Sequence, residues 1–582
     1  MERSAILGVS NLDVRSHDNA ACLLLNGKLI AQAEEERFSR RKHAYDALPV
    51  SAVRYCLETA RLSPRDIDTI AIGWDLPRTS FDKNATPALA HGTEEIVNRL
   101  LGEPIDGDRI AALRFVPHHH AHAAVSYYAS GFRSAAILVV DGAGETEATT
   151  HWHGRGPDFS PLLSRGQDPD SLGFMYEGVS EYLGFTGSEA GKVMGLAAYH
   201  NQKVAPFDAV RLEHGYHVDF PPEIRQAALR DLEGRENFYI MDLIKQYWIR
   251  YCESLFGPHE RYRSRTMRIG DELFREKSRI AAILQTSLEQ ALLSSACDLR
   301  EKTGEENLCL GGGVALNCTA NGALERSGIF KRTYIYPSSN DAGVALGAAL
   351  HALKTDGDAP FESEQTRNIP YWGPEYSDNE IKTILTSLGI EFFPCRDDFA
   401  DIAELLSRGD IIAWFQGRME IGPRALGARS ILADPRSAAM RDRVNQIKGR
   451  EPWRPLAPSV LRGYEGEYFE PSVFSPFMLR AAIVRPEKRA LIPAVVHVDH
   501  SSRYQSVTRE ANPRYWELIE SFLRTTGIPM VLNTSFNFKE PIVCSPQDAL
   551  KTFSERAIDH LIIGRCRVSK CSPTTHGNIS TT

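Results

Sequence analysis

The chain has 582 residues, 42% hydrophobic and 24% charged, a balance that fits a globular protein and excludes collagen-like, coiled-coil or largely disordered chains. At roughly 150 residues per domain, this length allows two to four domains. The 67 Lys and Arg stand against 75 Asp and Glu, a formal charge of −8, so general affinity for nucleic acid is disfavoured and any basic cleft has to be local. The first predicted element is an apolar strand, Ala5–Val9, followed by a polar loop carrying His17 and Asp18. Ala20–Leu25 and Leu29–Ala33 follow, separated by Asn26-Gly27-Lys28. Asn-Gly between apolar runs signals a hairpin, because both residues tolerate positive φ. After a further strand, Pro117-His118-His119-His120-Ala121-His122 enters a helix-compatible segment. A second strand-and-turn unit is Ala135–Val140, which ends in Asp141-Gly142-Ala143-Gly144-Glu145; its likeness to the first suggests a duplicated α/β architecture.

Glu189–Ala197 reads as a Gly/Lys loop. From Asn307 to Ala323 the pattern is strand, Gly311-Gly312-Gly313, then helix, and Ser338–Asp341 would cap a helix over Ala342–Leu353. A boundary is expected in Lys354–Asp378, which is rich in Pro, Gly and acidic residues. A second domain would open with the helix Asp398–Ser407 and the strand Ile411–Phe415. The expected domains are residues 1–355 and 370–570, with a flexible tail at 571–582. The 10 cysteines include no C-x-x-C pair, which speaks against a zinc ribbon and for small buried thiols in a reducing compartment. No segment reads as a signal peptide or approaches the roughly 18 apolar residues of a membrane span, so a cytoplasmic protein without membrane contact is expected.

Three groups of residues could carry chemistry. His118 and His122 are four apart, and on a helix they share a face that can present two imidazoles to one divalent cation. Asp141, at a strand end, and Asp341, at a helix start, are the candidate carboxylate ligands; the alternative is a hydrogen-bonded histidine cluster. Gly311-Gly312-Gly313 leading to Asn317 lets backbone N–H groups approach a phosphate or nucleoside, or simply makes a tight turn. Between Arg418 and Arg454, nine basic residues face four acidic ones. Arginines fixed between Gly and Pro, as in Gly422-Pro423-Arg424 and Trp453-Arg454-Pro455, suit bidentate capture of phosphate or carboxylate. Asn533–Asn537 and Ser502-Arg503 could add donors, whereas RNA fits poorly without interleaved aromatic residues.

Taken together, His118-His119-His120-Ala121-His122, Val140-Asp141-Gly142, Gly191–Ala197, Gly311–Asn317, Gly422–Gly427, Trp453-Arg454-Pro455 and Asn533–Asn537 resemble the NodU/CmcH family of carbamoyltransferases. Ala33–His43 fits as well, and the resemblance covers nearly the whole chain in the right order. It is strongest to antibiotic-tailoring O-carbamoyltransferases such as tobramycin carbamoyltransferase. The resemblance implies an α/β protein with an N-terminal ASKHA-type duplicated α/β domain and a C-terminal α/β domain like threonylcarbamoyl-adenylate synthase. It implies that carbamoyl phosphate and ATP, with Mg(2+), give carbamoyl-adenylate in the C-terminal domain. The carbamoyl group then passes in the N-terminal domain to a hydroxyl of a small natural product.

By motif, His118, His122, Asp141 and Asp341 would bind a divalent metal, Fe(2+) in relatives. His17 would be the catalytic base. Lys42, Gly142, Gly311, Gly312, Gly313 and Asn317 would hold the nucleotide, and Arg424, Lys448, Arg454, Arg503 and Asn533 the carbamoyl phosphate. Three departures stand out. Asn537-Phe538-Lys539-Glu540-Pro541 lacks a Gly of the family pattern, His500 stands where a Gly is expected, and Arg15 stands where some relatives carry an acid. The last points away from an aminoglycoside acceptor. Competing readings are N-carbamoyl transfer, threonylcarbamoyl transfer to tRNA, and a non-enzymatic ATP-dependent binding module.

Overall fold

The computed structural model describes residues 4–12, 16–45, 47–75, 93–102, 112–233, 239–356 and 361–570; the expected tail at 571–582 and Arg15 lie outside them. The hairpin forms as the sequence suggests. Ala20–Leu25 and Lys28–Glu34 pair antiparallel, and Asn26 and Gly27 both take positive φ, 52° and 79°. Two five-stranded sheets share one topology. The first runs Lys28–Glu34, Ala20–Leu25, Ala5–Val9, Thr69–Ile72, Ala112–Phe115. The second runs Asp158–Gly166, Glu147–Arg155, Ser134–Val140, Asn307–Gly311, Arg332–Ile335. In each, the first three strands are antiparallel neighbours and the last two join in parallel. This is the duplicated ASKHA-type α/β architecture.

The equivalence extends to the helices. His118–Ser130 follows the last strand of the first sheet, and Asp341–Asp356 follows the last strand of the second. Both are rich in alanine, and they pack against each other with little between their backbones. A Cβ on Gly347 would lie 1.9 Å from the Ala121 carbonyl oxygen, so only glycine allows that crossing. The excursion from Gly166 to Asn307 adds the helices Leu172–Tyr182, Ala190–Ala197, Pro222–Leu232, Ile240–Phe256 and Glu272–Thr303. Residues Ala190–Ala197, read from sequence as a loop, are thus helical. Gly195 sits on the packed face, its Cβ position 3.3 Å from Pro455, so the glycine reflects close packing and not a turn.

The C-terminal half is built on an eight-stranded mixed sheet. Its order is Phe393–Pro394, Cys566–Ser569, His560–Ile563, Ile412–Phe415, Arg429–Ala433, Met530–Ser535, Ala457–Leu461, Gln505–Val507. Helices Ala400–Ser407, Ala438–Ile447, Pro513–Thr526 and Pro546–Glu555 pack around a core that includes Trp414, Phe415, Leu432, Tyr515 and Phe522. A further helix, Asp378–Ser387, falls at the end of the stretch that shows no period in sequence.

The halves are clasped by charge. Arg37 donates to Glu34 at 2.6 Å and to the Gly422 carbonyl at 2.8 Å, while Gly422 N–H donates to Glu34 at 2.6 Å. Arg37 and Glu34 are almost fully buried, and removing one partner of such a pair typically costs about 3–5 kcal/mol. Arg40 donates to the carbonyls of Pro541 and Ile542, each at 2.7 Å. Trp453 and Leu426 of the C-terminal half join the N-terminal hydrophobic core. No helix among the described residues is long and apolar enough to cross a membrane.

Candidate active site

The pairing of the two equivalent helices brings their N-terminal turns together, and this placement assembles the first site. His118 and His122, one turn apart on the first helix, meet Asp341 at the start of the second. Asp141 reaches in from the turn after Ser134–Val140. One ligand atom from each of the four residues lies within 4.8 Å of all the others. His122 Nε2 is 3.0 Å from Asp141 Oδ2 and 3.1 Å from His118 Nε2, and His118 Nε2 is 3.8 Å from Asp341 Oδ1. Supporting bonds fix the ligand atoms. His118 Nδ1–H donates to the Gly73 carbonyl at 3.2 Å, which leaves Nε2 to face the cluster. Glu145 accepts from His118 N–H at 3.0 Å and so caps the helix.

The electrostatics describe a site built for a cation. Burial opposes charge on His118, but Asp141 and Asp341 outweigh it and push the imidazole up to about 9. Burial alone would raise Asp141, yet His118 and His122 hold it well below the usual carboxylate range. Burial keeps Asp341 above that range. Two imidazole nitrogens and two carboxylates suit a divalent transition metal, which would take the place of the proton His118 otherwise gathers. The purified protein should therefore carry close to one equivalent of divalent transition metal by elemental mass spectrometry. Binding should tighten as pH rises toward 9, the range over which His118 sheds its proton. His122→Ala should weaken binding by about tenfold or more, measured by competition with a chelator.

The glycine turn lies against this cluster. Gly313 N–H donates to Asp141 Oδ2 at 3.1 Å and Gly142 N–H to Asp141 Oδ1 at 2.7 Å. Gly312 has φ 86°, and a Cβ there would lie 2.2 Å from the Val140 carbonyl oxygen. These glycines are required by packing as well as by any ligand. Asn317 caps the helix Cys318–Ser327 through Ala320 N–H at 3.0 Å, and its side chain pairs with Gln285.

His17 lies in the turn between Ala5–Val9 and Ala20–Leu25, close enough to Asp341 and Glu177 to feel their charge. Its side chain is half exposed, and Nδ1 donates to Asp18 Oδ2 at 3.2 Å. An imidazole free in water titrates at about 6.5. Loss of solvent opposes the charge, but the Asp18 hydrogen bond and the fields of Asp341, Asp18 and Glu177 push the pKa up to about 10. Lys42 lies in the segment that follows the short helix Glu35–Ser39. Loss of solvent, then Arg454 and Arg450 acting against Glu36, hold its ammonium below the usual lysine range.

The second site is a cavity of about 820 Å³ at the contact between the halves. Arg424, Arg450, Arg454, Arg503 and Asn533 line it from one side, and Gly195, Gln285 and Cys318 from the other. Burial, followed by repulsion from neighbouring arginines, lowers Arg424 and Arg450 to about 9 each. Glu451, an acid that acts on Arg450 and Arg454, is held by Lys192 at 2.7 Å. Cations crowded together without carboxylate partners are stable only where an anion joins them. Lys448 is placed differently from the arginines. It is buried, and its ammonium donates to the Ser535 carbonyl at 2.5 Å, the Asn537 carbonyl at 2.6 Å and the Asn537 side chain, so it braces the cavity floor. Asn533 donates to Ala425 and Ser459, leaving its buried Oδ1 without a partner among the described residues.

Both departures at this site find a local account. His500 takes φ 65°, the left-handed conformation a glycine would adopt without strain. The Asn537–Pro541 turn closes through Glu540, whose carboxylate accepts from Phe538 and Lys539 N–H at 3.0 Å each. Sequence reasoning left two cavity residues unassigned. Arg450 was visible only as one member of the basic run, and Gln285, in mid-helix, gave no signal.

A duplicated α/β unit with a two-His, two-Asp centre, joined to an α/β unit with an arginine-lined anion cavity, defines a two-site enzyme. The Carbamoyltransferase N-terminus family matches residues 5–97 and 93–350, and the Carbamoyltransferase C-terminus family matches 403–570. Nodulation protein NolNO of Sinorhizobium fredii is 38% identical over 95% of this chain and 79% of its own length. Nodulation protein NolO of Bradyrhizobium diazoefficiens is 35% identical over 78% of each chain. An uncharacterized protein of Synechocystis is 34% identical over 96% of this chain and 95% of its own. The chain belongs to the carbamoyltransferase family of the NodU/CmcH type, and it is a carbamoyltransferase.

Proposed function

We propose that the protein is an ATP-dependent O-carbamoyltransferase that acts on a hydroxyl of a small natural product. In the C-terminal cavity water would cleave carbamoyl phosphate to carbamate and phosphate, and the carbamate oxygen would attack the α-phosphorus of ATP to give carbamoyl-adenylate and pyrophosphate. In the N-terminal cleft the acceptor oxygen would attack the carbamoyl carbon, its proton passing to His17, and AMP would leave. The observation that carries this reading is the cluster Arg424, Arg450, Arg454 and Arg503, a set of cations without ion-paired carboxylates among the described residues, facing one cavity between the two halves. It matches the negative charge of a phosphoanhydride and its small dianionic partner. Carbamoyl-adenylate is labile in water, and two sites in one chain shorten its exposure. A divalent metal held by His118, His122, Asp141 and Asp341, Fe(2+) by the resemblance, would supply Lewis-acid stabilisation of phosphate or carbamoyl oxygen. The Gly142 and Gly311–Gly313 turns and Asn317 would seat the nucleotide, with Lys42 beside it. The acidic overall charge favours this acceptor class over tRNA.

The reading predicts that the purified protein, given ATP, Mg(2+), carbamoyl phosphate and a panel of hydroxylated metabolites, adds one carbamoyl unit to one of them by mass spectrometry. AMP should form in equal amount. ATP hydrolysis that is independent of carbamoyl phosphate, with no product from any acceptor, would sink it.

A further inference from the structure

The loop that carries Lys42 holds a second histidine, His43, to which the mechanism above gives no part. His43 and Asp18 grip each other twice. Asp18 N–H donates to the His43 carbonyl at 2.7 Å, and His43 Nδ1–H donates to Asp18 Oδ1 at 2.9 Å. The other oxygen of the same carboxylate, Oδ2, accepts from His17 Nδ1–H at 3.2 Å. One carboxylate thus bridges two imidazoles. His43 is itself held from behind, its N–H donating to Glu36 at 2.7 Å. The backbone is forced to make this arrangement: Asp18, His43 and Ala44 all take positive φ, 54°, 63° and 46°. Non-glycine residues hold that conformation at a cost, and three so close together signal an imposed geometry. Glu34, Arg37 and Arg40, just upstream, fasten the same segment to the C-terminal half.

We infer that His43 is a positioning residue for the transfer reaction. By anchoring Oδ1 of Asp18, it turns Oδ2 toward His17 and fixes the tautomer with the proton on Nδ1 and the lone pair on Nε2. A base held this way meets the acceptor hydroxyl without first reorienting. The inference rests on His17 as the general base and extends that reading. Glu177, Asp341 and the ring of Tyr45 surround His17, but among the described residues only Asp18 hydrogen-bonds its Nδ1. The orientation therefore depends on Asp18, and Asp18 depends on His43.

The test is a pair of substitutions at one position. Asn and Asp both tolerate positive φ, so either fits the backbone at residue 43. His43→Asn keeps an N–H where Nδ1 stood; His43→Asp has the same shape with no donor when ionised. Transfer is followed with the holoenzyme, ATP, carbamoyl phosphate and the acceptor found above, and adenylate formation is followed separately as pyrophosphate release. His43→Asp should lower kcat for transfer by about 10- to 100-fold, with acceptor KM within about twofold and pyrophosphate release intact. His43→Asn should recover most of that loss. In protein labelled with 15N-histidine, the His17 resonances should report a protonated Nδ1 in the wild type and in His43→Asn, and a mixed tautomer in His43→Asp.

Equal transfer by both variants, equal loss in both, or parallel loss of transfer and pyrophosphate release would overturn the positioning role. An unchanged tautomer in His43→Asp would do the same. The reading of His17 fails separately, if His17→Asn transfers at the wild-type rate, and the inference falls with it.

Discussion

Arg454→Ala is expected to remove carbamoyl-adenylate formation, by at least about 100-fold, without weakening the fold. Each charge-assisted hydrogen bond to a bound anion contributes about 1.5–3 kcal/mol, so loss of a guanidinium that makes two of them reaches this magnitude. The stability half of the expectation follows from the electrostatics. Burial, together with repulsion from Arg503, already holds Arg454 below the usual arginine range, with Glu451 opposing. Removing one cation from a crowd of four relieves repulsion, so the midpoint of thermal unfolding should hold or rise. The backbone contact at this position, Arg454 carbonyl to Asn445 Nδ2 at 3.0 Å, is kept by alanine. Synthetic carbamoyl-adenylate, supplied to the variant, should restore transfer to the acceptor, because the N-terminal cleft is untouched. A variant that consumes ATP normally with carbamoyl phosphate would place the first half-reaction elsewhere.

Part of this site is legible in the sequence, and the reason is local. His118 and His122 are spaced by one helical turn, and Asp341 is a helix-start residue, so each announced its orientation through backbone geometry alone. The Asn26-Gly27 hairpin was legible for the same reason. What brings Asp341 to the histidines is not local. It is the pairing of two helices that follow equivalent strands in duplicated sheets, and no residue pattern within either helix states that they touch.

The basic run around Arg424 to Arg454 showed its sign but not its directions. Arg424, Arg450 and Arg454 face the cavity, whereas Lys448 turns inward to backbone carbonyls. Both kinds of residue look the same in sequence. The glycines of Ala190–Ala197 misled, because a glycine that permits close packing and one that permits a turn are the same letter. The grip between Asp18 and His43 was hidden as well, since 25 residues separate them in the chain and neither carries a local signal of the other.

His17→Asn is expected to separate the half-reactions from the other side. Phosphate and pyrophosphate should still appear from carbamoyl phosphate and ATP, while carbamoylated product falls by about 100- to 10,000-fold, the usual loss when a positioned general base is removed. The amide of Asn can donate to the Asp18 carboxylate, so the loop should keep its shape. A variant that loses both half-reactions and stability together would make His17 structural. The pH profile adds a check with a definite sign. His17 accepts a proton only when neutral, so transfer should rise with pH along a limb set by its pKa. Asp18, Asp341 and Glu177 push that pKa up to about 10 when nothing neutralises them. A cation held by Asp341 and Asp141 would remove part of this field, which places the limb between the ordinary imidazole value of about 6.5 and the upper figure. The same linkage makes charged His17 favour the folded state at neutral pH and below, a contribution lost as pH climbs toward 10. Chelating the metal should therefore move the transfer limb to higher pH in the wild type. In His17→Asn the residual transfer should show no such limb, because the group that titrates there is gone.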